Sequence, residues 1–291
     1  MAVPHSDVFF PTGLQELFSI WNASKDAVLC AGGIEHIRNQ SGRIPTLPRK
    51  IISLDKMEEF RKISRTERYI EIGCMVKLNQ IINLGKIVPE IITLCIECIE
   101  GPQLRSQATI GGNICNPSRR LDISAPMIAL DAQYELRAAQ SSRWISASRF
   151  SSLPGPPGLA PQELLTRIRV PLEPWTYSWY RKFNIAGGNQ PSGGILFILR
   201  NEKDILTDIR VVYSGKTILR EKNGESMLAG KHLPLDRKDA LAFLDKWKNY
   251  LATLEGAEKA VFPGEDGNFR PELIKAQILQ FIESTLTHIS D

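Results

Sequence analysis

The stretch Gly101-Pro-Gln-Leu-Arg-Ser-Gln-Ala-Thr-Ile-Gly-Gly-Asn-Ile-Cys-Asn116 constrains this chain more than any other. Its Gly, Asn, Gln and Thr content reads as one long loop rather than a strand or helix. A second glycine-rich segment, Val28-Leu-Cys-Ala-Gly-Gly-Ile-Glu35, is a short strand that breaks into a Gly-Gly turn. Adjacent glycines let the backbone take φ > 0 and approach a ligand closely, and their N–H groups can converge on an anion. Two such turns in one domain could clamp a pyrophosphate from two sides; each alone is more commonly an ordinary tight turn. The usual nucleotide signatures are absent. No G-x-G-x-x-G follows a strand, so a Rossmann fingerprint is not supported. Gly215-Lys-Thr217 resembles the end of a P-loop, but Arg210 stands where the first glycine should be. Any dinucleotide would bind through another architecture.

Size and composition narrow the frame. At 291 residues the chain allows one large domain or two ordinary ones. With 43% hydrophobic and 23% charged residues it can bury a sizeable core. Thirty-six Lys+Arg against 32 Asp+Glu leave +4, without a long basic run, which disfavours a nucleic-acid or anionic-membrane binder. The opening Met1-Ala-Val-Pro-His-Ser-Asp7 lacks the basic flank and apolar stretch of a secretion signal. The apolar runs near Ile87–Ile99 and Ile195–Leu199 are too short or interrupted to span a membrane. Five cysteines form an odd set, which argues against a disulfide framework and for a reducing cytoplasm.

The chain reads as mixed strands and helices. Thr12-Gly-Leu-Gln15 has the form of a capping box, and Leu14, Leu17, Phe18 and Trp21 follow at helical spacing. Strands are expected at Ala27–Cys30, Lys50–Leu54 and Tyr69–Gly73, then two short helices between Met75 and Glu100, with Pro89 near the start of the second. After the glycine-rich loop come a helix near 124–132 and strands at Gln133–Ala138, Arg143–Ile145 and Glu163–Val170. Ser152-Leu-Pro-Gly-Pro-Pro-Gly158 is punctuation between them. Pro171 and Pro174 mark a domain boundary. Beyond it, three strands (Trp175–Phe183, Ile195–Arg200, Ile205–Tyr213) precede helices. The last helix starts at Pro271 and carries Ile274, Ile278, Phe281, Ile282, Leu286 and Ile289 on one face. Without strict alternation, α+β is the expected class.

Few residues advertise catalysis. Cys95-Ile-Glu-Cys98 lacks the second pair a structural zinc needs, and the cysteines do not match iron–sulfur spacings. With Ile91 and Ile99 they form an apolar helical face, so both thiols are expected in the core. The four histidines are scattered, and no G-x-S-x-G elbow is present. Asp122, just ahead of a helix, is either a helix-terminal charge or an acceptor for ligand hydroxyls.

Taken together, these segments resemble the FAD-binding subunit of the molybdenum hydroxylases, the group of xanthine dehydrogenase and carbon monoxide dehydrogenase. Ala31-Gly-Gly33 resembles the first flavin loop. Gly101–Asn116 resembles the second, whose family form is close to G-P-Q-I-R-N-x-A-T-I-G-G-N-I-x-N. Asp122, Pro126–Ala132, Glu163–Pro171, Tyr180-Arg-Lys-Phe183 and Glu225-Ser-Met-Leu-Ala-Gly-Lys231 extend the match over most of the chain. The resemblance implies a two-part FAD-binding domain of the PCMH (vanillyl-alcohol-oxidase-like) type over residues 1–173. A smaller α+β domain of the CO dehydrogenase flavoprotein type, with three antiparallel strands and helices, would follow over 174–291.

It also implies roles. Backbone groups of Leu29, Cys30, Ala31, Gly32, Gly33, Ile34 and Glu35 would hold the pyrophosphate and adjoining ribityl atoms. Thr109, Ile110, Gly111, Gly112 and Asn113 would form the second wall. Asp122 would accept from a sugar-chain hydroxyl, Leu165 would pack near the ring system, and Lys182 would lie near the isoalloxazine. No residue is expected as an acid–base catalyst and none as a metal ligand. The implied activity is electron relay: a molybdenum-cofactor subunit oxidises the substrate, a 2Fe-2S subunit passes single electrons, and FAD collects two for an acceptor such as NAD+. Flavin-free scaffold and stand-alone flavin reductase are the alternatives. Three departures stand out: Ile34-Glu35 where the family often has Thr-Asp, Arg119-Arg120 ahead of Asp122, and the segment 184–194 after Phe183.

Overall fold

The strand Lys50–Ser53 lies between Asp7–Phe9 and Val28–Cys30 and pairs with both in parallel. Parallel neighbours need crossover connections, and the helices Leu14–Ala23 and Ile34–Arg38 provide them. This computed structural model describes residues 6–38, 47–99, 101–116, 122–151, 158–184, 191–262 and 270–290. In the first helix Leu17 and Phe18 are buried, with Leu14 and Trp21 packed against the same core, as the spacing predicts. Its cap is shifted by one residue. The helix begins at Leu14 behind Gly13, so the third helical residue is Glu16, and its carboxylate rather than the Gln15 amide accepts from the Thr12 amide (2.8 Å) and hydroxyl (3.0 Å).

A five-stranded antiparallel sheet follows, in the order Ile63–Arg65, Tyr69–Gly73, Leu164–Pro171, Gln133–Arg137, Ser142–Ser146. Ile70, Ile72, Tyr134, Ile168 and Val170 turn one face into the core. The opposite face is a lattice of charge. Arg167 bridges Glu135 (2.8 Å) and Glu71 (3.1 Å), Arg169 reaches Glu71 (2.7 Å), and the Arg169 guanidinium stacks 4.1 Å from the Trp144 ring centre. Burial works against the Glu135 carboxylate, but hydrogen bonds from Arg167, Thr166 and Arg137 outweigh it and hold its pKa at about 2, below the ordinary 4.5. A depressed carboxylate stabilises the fold fully above its unfolded pKa. That contribution is lost as pH falls from about 4.5 towards about 2. Glu135→Gln should therefore flatten the acid limb of a thermal-melt series over that window, and an unchanged limb would exclude Glu135 as its source.

The stretch expected as a loop is mostly helical. Gly101, at φ +80°, turns the chain into Pro102–Gln107, and Thr109 then caps a second short helix, Ile110–Ile114. Pro102 suits a first helical position, and the Thr109 hydroxyl accepts from the Gly112 amide (3.1 Å); these two local signals outweigh the low helix propensity of the glycines. Cys95 is buried on Glu90–Glu97 as expected, but Cys98 is exposed, because the helix ends at Glu97 and Cys98 is its terminal cap. Residues 152–157, most of the expected punctuation, lie outside the described residues.

The last sheet is antiparallel and has four strands: Tyr177–Asn184, Pro191–Glu202, Ile205–Ser214 and the short Ile218–Leu219, which is one more than the sequence announces. Alternation makes it two-faced. Ile195, Phe197 and Leu199 join the second core with the final helix Pro271–Ser290, whereas Leu196, Ile198 and Val212 complete the first core. Ser124–Ala129, every residue of it buried, packs on that first face. Among the described residues no helix is long and apolar enough to cross a membrane.

Candidate functional site

The two glycine turns interlock. Gly32 lies so close to the loop ahead of Thr109 that a Cβ there would collide with the Gln107 carbonyl oxygen. Gly33 takes φ +74°, which L side chains rarely adopt, and starts the helix Ile34–Arg38. Upstream, Leu29 and Cys30 pair with Ile52 and Ser53, and the Cys30 carbonyl accepts from the Leu54 amide (2.9 Å). Among the described residues the amides of Gly32, Gly33 and Ile34 find no protein acceptor. Ala31, the residue ahead of this set, approaches Gly112: a Cβ on Gly112 would stand 3.8 Å from the Ala31 methyl. The first glycine turn is thus packed against the second while its amides keep no protein partner among the described residues.

The second turn is held from beneath. The Thr109 side chain, 1% exposed, caps its own helix: its hydroxyl oxygen accepts from the Gly112 amide. The Gly111 amide donates to the Cys74 carbonyl (2.9 Å), and a Cβ on Gly111 would clash with Cys74. Ile110 is buried, and its amide donates to the Val76 carbonyl (3.0 Å). The Asn113 side-chain oxygen accepts from the Ile123 amide (3.4 Å), so it tethers the turn to the segment carrying Asp122.

Asp122 is neither a bare helix-end charge nor a free acceptor. It takes a hydrogen bond from the Tyr180 hydroxyl (2.7 Å) and pairs with the Lys182 ammonium (3.2 Å), with Asp122 and Lys182 side chains 13% and 16% exposed. Asp122 and Lys182, 60 residues apart in the chain, meet here, and Tyr180 joins them. Burial first, and then the Asp122 charge, push the Tyr180 phenol well above its ordinary pKa, so it is a proton donor to Asp122. Gly194 on the neighbouring strand makes room for that ring, because a Cβ there would run into the Tyr180 hydroxyl. The Lys182 ammonium also lies 3.4 Å from the Cys98 carbonyl. Leu165 is not part of this surface: it is 2% exposed, opposite Leu136 in the first core. Arg119, Arg120 and residues 185–190 lie outside the described residues. No group of three or more potential metal-ligating side chains occurs among the described residues.

This geometry defines the class: an α+β protein with two interlocked glycine turns and no Rossmann fingerprint. The chain belongs to the family described as the FAD binding domain in molybdopterin dehydrogenase, whose profile matches residues 4–173. FAD is the cofactor of that family. The carbon monoxide dehydrogenase medium chain of Hydrogenophaga pseudoflava is 27% identical over 249 residues, covering 83% of this chain and 86% of the relative. The xanthine dehydrogenase FAD-binding subunit of Escherichia coli O157:H7 is 28% identical over 167 residues, 55% of this chain and 56% of the relative. The fold is also that of a chain in a solved carbon monoxide dehydrogenase of Hydrogenophaga pseudoflava. The TM-score is 0.82 at 23% identity, with 99% of this chain and 98% of that chain covered.

Proposed function

We propose that this chain is the FAD-carrying subunit of a molybdenum hydroxylase complex of the xanthine dehydrogenase type, working in the cytoplasm. It would pass electrons from iron–sulfur clusters to an acceptor such as NAD+. The observation that carries the reading is the Gly32–Gln107 interlock beside three amides, of Gly32, Gly33 and Ile34, that have no protein acceptor among the described residues. Leu29 to Glu35 would hold the pyrophosphate through backbone groups, with Gly111, Gly112 and Asn113 as the opposite wall. Asp122 retains acceptor capacity beyond Tyr180 and Lys182 for a ribityl hydroxyl, and Lys182 would set the charge beside the flavin ring. FAD, when bound, supplies the exchange of single electrons and of hydride; the protein supplies orientation and electrostatics.

Functionally we divide the chain at residue 173, with the glycine turns before it and Tyr180 and Lys182 after it. The molybdenum cofactor and 2Fe-2S centres belong to partner subunits in this proposal, which the relatives named as a medium chain and an FAD-binding subunit support. Five cysteines outside any disulfide suit a reducing compartment. The medium-chain and FAD-binding-subunit relatives support a three-part assembly, and the oxidised substrate would be set by the molybdenum subunit. The test is purification of the chain with its partners, followed by a visible spectrum and identification of acid-released flavin. Bound FAD, reducible by substrate and reoxidised by NAD+, is the expected result. A colourless chain that refuses added FAD would overturn the reading.

A further inference from the structure

We infer that Lys77, a residue no motif singles out, is the cationic anchor for the cofactor's pyrophosphate. The inference rests on the proposed FAD site and extends it to a side chain. Lys77 ends the turn after Tyr69–Gly73, and its backbone forms an antiparallel bridge with Thr109. Its ammonium donates to the Gln107 carbonyl (2.9 Å), the same oxygen against which Gly32 is packed. One carbonyl therefore holds the charge and the first glycine turn side by side.

The nearby acid, Asp55, is bound by Arg61 (2.6 Å), so Lys77, Arg61 and Asp55 together carry one excess positive charge. Among the described residues Lys77 forms no ion pair. Burial, followed by the Arg61 charge, lowers its pKa, the mark of a half-buried cation short of negative partners. The Cys30 thiol also lies within its field, and burial raises that thiol, so it does not supply the missing charge. A desolvated cation beside the open amides of Gly32, Gly33 and Ile34 is complementary to an anion of high charge density. It also fills a gap: with Ile34 in the first turn, no side-chain hydroxyl follows Gly33 to share the phosphate.

The test titrates the full-length apoprotein, wild type and Lys77→Met, with FAD, riboflavin and ADP at low and high salt. Lys77→Met should raise the Kd for FAD and ADP about tenfold or more, the scale of one charge-assisted hydrogen bond. It should also shrink the salt dependence and leave riboflavin unaffected. Lys77→Arg should recover most of the loss and guards against a folding defect in the methionine variant. Unchanged FAD affinity, or equal losses for FAD and riboflavin, would overturn the inference. A wild-type chain that binds ADP through Lys77 but takes up no flavin would sink the cofactor assignment and leave the anchor standing. Binding of neither would end both.

Discussion

Gly32→Ala is expected to abolish stoichiometric FAD binding and to lower stability by about 1–3 kcal/mol, the usual range for forcing a methyl into packed backbone. The methyl would collide with the Gln107 carbonyl oxygen, a backbone atom that cannot rotate aside. Either turn must retreat, and retreat at Gln107 drags Lys77 and Ala108 with it, since the Ala108 carbonyl accepts from the Leu78 amide (2.9 Å). Flavin occupancy after dialysis and the shift in melting temperature read the two effects separately. Gly112→Ala provides the control. Its Cβ would meet the Thr109 hydroxyl at 2.9 Å, a side chain that can give way, so the stability loss should be smaller. Equal flavin content in Gly32→Ala and wild type would show that the interlock is only a structural contact.

Asp122→Ala should have the second-largest effect. It strips the partner from a buried phenol and a nearly buried ammonium at once, and leaving such donors unpaired costs about 1–3 kcal/mol. The Lys182 charge would then stand uncompensated at the position proposed for the flavin ring. We expect weaker FAD binding and an upward shift of the flavin reduction potential, because an unpaired positive charge favours the electron-rich state. Asp122→Asn separates the parts: its amide oxygen still accepts from Tyr180, so stability should largely return while the potential stays raised. Spectroelectrochemical titration of the two variants decides it. A potential unmoved in both would place the triad away from the ring.

Much of the architecture was legible where local chemistry and tertiary packing agree. The stripe at Leu14, Leu17, Phe18 and Trp21 and the face from Ile274 to Ile289 both predict helices that the structure places on the core. Tyr69–Gly73 stands as the alternation predicts. The stretch 101–116 misled because its glycines argue for loop. The Thr109 cap is a local signal those glycines obscure, and the burial of Ile110 and Ile114, visible only in three dimensions, makes the stretch helical. Cys98 misled for the opposite reason. It continues the apolar spacing of Cys95, but the helix stops one residue too soon.

At the site, the glycine turns and Asp122 could be read from motif and resemblance. Tyr180 and Lys77 could not: a tyrosine on an exposed-looking strand and a lysine after an apolar run are ordinary until the chain brings them to Asp122 and Gln107. Tyr180 lies beside Lys182 in the Tyr-Arg-Lys-Phe segment, and the alternation of a strand, which places residues 180 and 182 on one face, was the available clue.

The sheet shared by the two cores has a consequence for how this molecule can be dismantled. Residue 173, where the family profile stops, is not a seam in energy. Cutting there would remove Leu196, Ile198 and Val212 from the first core and uncover the all-buried helix that follows Asp122. The glycine turns cannot be borrowed as a free-standing module. A substitution that loosens the shared sheet should therefore destabilise both cores together, because both lean on one wall.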